Sequence, residues 1–158
     1  MMTFLELGDD FAMRLRVLLA FLLMAMPAWA ALGDTAPSVL ADQARMKGSL
    51  RSVDAKTYVM HEITASDGTV VREFVSPGGV VFGVAWEGQF PPDLEQLLGP
   101  YYEQAKQAVQ GQQRRGRAPI SIETPGLVVY QTGRTRNFHG QAYIPQLIPQ
   151  GVSASDIR

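Results

Sequence analysis

From Lys56 to Trp86 the apolar residues come in short runs rich in β-branched and aromatic side chains, separated by turn residues. Lys56 to Ala65 reads as one strand, Ser66-Asp67-Gly68-Thr69 as a tight turn, and Val70 to Val75 as the returning strand. Asp67-Gly68 suits the two central positions of a type I′ turn, where both residues need φ above zero. Pro77-Gly78-Gly79 marks a second reversal before a third strand, Val80 to Trp86. The pattern predicts a three-stranded meander.

The spacing of apolar residues then changes. Leu94, Leu97, Leu98, Tyr101, Tyr102, Ala105, Ala108 and Val109 recur at steps of three and four, which predicts a helix with one continuous apolar face up to about Gln110. Asp93 with Gln96 reads as a capping box at its start. Gly99-Pro100 interrupts it, and because the apolar phase continues across the break, a kinked helix is expected. After the polar loop Gly111 to Pro119, short strands are expected at Ile120 to Glu123, Leu127 to Thr132 and Asn137 to Ile144. Ser38 to Lys47 reads as a further short helix with Ser38 as its N-cap and Gly48 ending it. The expected fold is therefore α+β: a mainly antiparallel six-stranded sheet with one long kinked helix packed on one face.

One segment belongs to a different pattern. Met13 to Ala31 has Arg14 and Arg16, an unbroken apolar run from Val17 to Met26, Pro27, and the small-x-small site Ala28-Trp29-Ala30. These are the parts of a bacterial export signal in order, and the apolar run is about half the roughly 20 residues a membrane span needs. The division expected is residues 13–30 as signal peptide and 31–158 as a single mature domain, with no stable membrane span after cleavage. Glu6, Asp9 and Asp10 put negative charge ahead of the signal, so residues 1–12 read as an extension before the true start at Met13. The location implied is periplasmic or secreted.

Composition adds three constraints. Of 14 basic and 15 acidic residues in the chain, 12 of each remain beyond residue 30, so the mature part has no basic excess with which to attract nucleic acid. Cysteine is absent, which excludes disulfides, thiolate metal sites and cysteine nucleophiles. Ala31 at the cleavage site excludes lipid attachment there.

Candidate chemistry is sparse. Counting outward from a type I′ turn pairs Glu62 with Glu73 and places Tyr58, Met60, Glu62, Val71, Glu73 and Val75 on one face, with His61, Ile63, Arg72 and Phe74 on the other. Two directly opposed carboxylates are either an acid–base pair with separated pKa values or two solvated groups reaching apart, and the second reading is favoured. With a two-residue loop in the next hairpin, Phe82, Val84 and Trp86 join the same face, making Tyr58, Phe82 and Trp86 a candidate contact surface or, as the strand's apolarity favours, part of the core. His61 and His139 are candidate general bases, although neither sits in a motif of known mechanism, and His61 and Glu62 must point to opposite faces. Arg114, Arg115, Arg117, Arg134 and Arg136 form the densest positive charge and read as solvated loops. No cofactor or metal site is expected.

Five stretches together resemble a known set: Tyr58 to Ile63, Asp67 to Pro77, Gly79 to Trp86, Pro92 to Gly99 and Phe138 to Pro145. They resemble a family of small exported proteobacterial proteins, common in Burkholderia-like bacteria, catalogued as a domain of unknown function. The resemblance implies export and a single domain, and brings no catalytic residue. The function expected is a non-catalytic accessory protein that binds an envelope component or another exported protein; the alternative is a small envelope hydrolase using Glu62 and Glu73.

Overall fold

The computed structural model describes residues 32–111 and 119–158. The export signal, its cleavage site, the early extension and Arg114, Arg115 and Arg117 lie outside the described residues. The described chain folds as α1 (Ser38–Met46), β1 (Ser49–Asp54), β2 (Val59–Thr64), β3 (Val70–Val75), β4 (Val81–Gly88), α2 (Leu94–Leu98), α3 (Tyr102–Gln110), β5 (Ile120–Thr124), β6 (Leu127–Arg134) and β7 (Asn137–Tyr143). All seven strands form one antiparallel sheet in the order β1-β2-β3-β4-β7-β6-β5. The sheet thus has one strand more than the sequence predicts.

The extra strand is β1. Its sequence, Ser-Leu-Arg-Ser-Val-Asp, holds only two apolar residues and is mostly exposed, as suits an edge strand that uses charge to discourage further pairing. It also shortens the strand expected from Lys56. Residues 55–58 form the β1–β2 turn instead, with Lys56 at φ 66° and its N–H held by Asp54 Oδ1 at 2.8 Å.

Two three-residue loops set the register of the central meander. Gly68 donates to Ala65 O at 3.0 Å and Ala65 N–H reaches Thr69 O at 2.8 Å, so the turn is centred on Ser66 and Asp67 with Gly68 following at φ 85°. Asp67 does not carry positive φ, so this is not the expected type I′ turn but a turn closed by a glycine bulge. The next hairpin repeats the device at Gly79 (φ 77°), between Ser76 and Val80. A second irregularity, between Phe74 and Val75, inserts Phe82 as an extra residue opposite β3.

The helical segment after β4 carries the chain from the middle of the sheet to its far edge, where β5, β6 and β7 return. It breaks where Gly99-Pro100 predicts, through a single 3₁₀ turn over Gly99–Tyr101 that joins α2 to α3. Asp93 caps α2 through Gln96 N–H at 3.1 Å. The reciprocal half of the expected capping box is absent among the described residues; the Gln96 amide instead donates to Asp42 Oδ1. At α1 the N-cap is Pro37, not Ser38; Ser38 is already helical and buried, and Lys47 closes the helix at φ 49°.

Both helical segments cover one sheet face. There Leu32, Val39, Leu97, Leu98 and Ala105 pack on Ile63, Val71, Val84, Trp86, Val129 and Ala142. The opposite face carries a smaller core of Phe74, Phe82, Ala85 and Ile157, covered by the C-terminal segment. Ile157 seats directly over Gly83, where a Cβ would lie 3.0 Å from Ile157 Cδ1.

Candidate functional site

The observed β2–β3 register is one residue away from the expected one, and that single step separates the candidates on the meander. His61 stands opposite Glu73 and Glu62 opposite Arg72. Side chains alternate across a strand, so Glu62 and Glu73 occupy opposite faces of the sheet and do not form a pair. The expectation failed because it assumed a two-residue loop where the chain uses three.

Glu62 lies on the face away from the helices. Arg72 Nε donates to Glu62 Oε2 at 2.9 Å, and Arg72 Nη2 donates to Glu87 Oε1 at 2.7 Å, forming an ion-paired row across β2, β3 and β4. The aromatic candidates divide in the same way. Tyr58 packs on Phe74 and Phe82 with ring centroids 5.6 and 6.0 Å apart, within the second core. Trp86, 1 % exposed, lies on the helix-covered face. Tyr58, Phe82 and Trp86 are therefore not one surface, and Phe82 and Trp86 are core residues.

The histidines are separated too. His61 shares the helix-side face with Glu73, and its Nδ1 lies 2.8 Å from Ser52 Oγ; burial lowers its pKa. His139 is exposed on the other face, at a broad open depression around the β6–β7 hairpin with Thr132, Arg134 and Asn137. Arg134 and Arg136 are exposed at the same hairpin. Among the described residues no three or more potential metal ligands are gathered.

What the structure does assemble is a carboxyl pair that the sequence reading missed. Glu73, 2 % exposed, points from β3 into the helix-side core, and Asp42, 0 % exposed, comes down from α1 to meet it. The two carboxyl groups come within hydrogen-bonding reach of each other, and Gln96 Nε2 donates to Asp42 Oδ1 from the start of α2. Asp42 Oδ2 and Glu73 Oε2 are buried with no hydrogen-bond partner among the described residues. Two ionised carboxylates cannot satisfy each other, so the contact requires a carboxylic proton between them. Burial first, then the hydrogen bond and charge of Asp42, push the Glu73 pKa up to about 9, while burial raises that of Asp42 as well. The pair accordingly holds one proton at neutral pH. Each residue left a trace in the sequence: Glu73 interrupts the apolar series Val71, Val75, and Asp42 lies three residues after Val39 on the buried side of α1.

A second feature lies beside α3. Leu98, Tyr102 and Val109 on the helical segment face Ile120, Ile122 and Val129 on β5 and β6 across an apolar groove of about 180 Å³, with Lys106 and Gln131 beside it.

A two-layer α+β domain, with one antiparallel sheet covered by helices on one face, is the class this architecture defines. The chain belongs to the family DUF2844, described as a protein of unknown function, whose family model matches residues 28–157. No curated protein and no solved structure matches it.

Proposed function

We propose that this is an exported, non-catalytic accessory protein that holds a partner protein of the cell envelope through the apolar groove beside α3. The observation that carries the reading is the groove itself. A volume of about 180 Å³ is below the roughly 300 Å³ at which small-molecule sites begin, and is close to the roughly 150 Å³ that takes up a single benzene ring. It suits one bulky apolar side chain, the kind of anchor that dominates protein interfaces. The segment Met13 to Ala31 supports export, and among the described residues no helix is long and apolar enough to cross a membrane.

A hydrolase would need an acid and a base meeting at an accessible cleft. Glu62 and Glu73 stand on opposite faces, and the carboxyl pair that does form is closed to solvent. Capture from an envelope extract tests the binding reading. The wild-type protein should retain an envelope protein that Val109→Glu, which puts a charge into the groove, does not, with both proteins giving the same circular dichroism spectrum. Equal retention by both, or no retention by either, contradicts it.

A further inference from the structure

We propose that Asp42 and Glu73 share one proton across the contact between α1 and β3, and that loss of this proton releases α1 from the sheet. The pair sits where three elements meet: Asp42 on α1, Glu73 on β3, and Gln96 at the start of α2. Both carboxyls are buried, and each has an oxygen that no other described donor satisfies. The contact therefore stands only while a proton bridges it. When Glu73 gives that proton to solvent, two negative charges are left side by side in an apolar interior, where the cost of each is several kcal/mol. The cheapest relief is for α1 to lift, because α1 touches the sheet chiefly at β2 and brings only Ser38, Val39 and Asp42 into burial.

The groups around the pair do not replace the proton. On α1, Arg45 favours an ionised Asp42; beyond α2, Asp93 opposes it. From β2, His61 faces Glu73 across the ladder, but burial disfavours its charged form, and its Nδ1 is beside Ser52 Oγ. From β4, the residue opposite Glu73 is the apolar Val84. Gln96 supplies a donor to Asp42 alone.

Linkage gives the direction. Opening moves Glu73 from an environment where it holds its proton up to about pH 9 into water, where the ordinary value is 4.5. Between those limits opening releases a proton, so the opening equilibrium should rise by up to about tenfold per pH unit and level off above the upper limit.

Hydrogen exchange of the full chain from pH 5 to 10, corrected for the pH dependence of intrinsic exchange, reads this directly. The peptide over α1 should lose protection with rising pH, up to about tenfold per unit, and at every pH should be less protected than peptides over β6 and β7, which open only with the whole fold. In Glu73→Gln the amide donates to Asp42 at every pH, so protection of α1 should not change. An independent reading needs no variant: the infrared carbonyl band of a buried carboxylic acid should be present at pH 7 in the wild-type protein and vanish towards pH 10. A pH-independent α1 in the wild type, the same loss in Glu73→Gln, or no acid band at pH 7 would each overturn the proposal.

Discussion

Trp86 is buried in the larger core: its indole ring lies against Gly140, where an added Cβ would come within 2.5 Å of Cζ2. Truncating so large a buried ring leaves a cavity, so Trp86→Ala should lower the unfolding free energy by about 3–5 kcal/mol in urea titration. A loss below about 1 kcal/mol would place the ring at the surface instead. The same residue-level view explains what the sequence exposed and what it concealed. The run Val80 to Trp86 announced a core strand by its composition. Asp42 did not announce a partner, because the residue that meets it is 31 positions away on another element, and local spacing says nothing about such a contact.

At the scale of elements, loop length decided which face each residue took. The meander was legible because Asp67-Gly68 and Pro77-Gly78-Gly79 mark reversals whatever the turn type. Its register was not, since a two-residue and a three-residue loop share the same Asp-Gly signal yet differ by one step, which moves Glu62 and Glu73 apart. β1 escaped because Leu50 and Val53 are its only apolar residues, and a polar edge strand resembles a loop in composition. The observed register makes a prediction of its own. Arg72 pairs with both Glu62 and Glu87 on a partly exposed face, so Arg72→Ala should cost about 1 kcal/mol or less, with the loss shrinking as salt is raised. A loss of several kcal/mol independent of salt would indicate that the row is buried.

For the whole molecule, the buried pair couples stability to pH. Glu73 has a folded pKa raised to about 9 from 4.5, so its contribution is greatest below the unfolded value and is lost as pH rises towards the folded one. The carboxylate pair inferred from the sequence and the pair present in the fold share Glu73 but not its partner, and buried beside Asp42 the pair keeps a proton through neutrality. Equilibrium unfolding in urea at pH 5, 7 and 9 tests this most directly. The unfolding free energy of the wild-type protein should fall by up to about 1.4 kcal/mol per pH unit, and that slope should disappear in Glu73→Gln. A wild-type stability that stays constant or rises over the same interval, or a slope unchanged by the substitution, would contradict a shared proton at the centre of the fold.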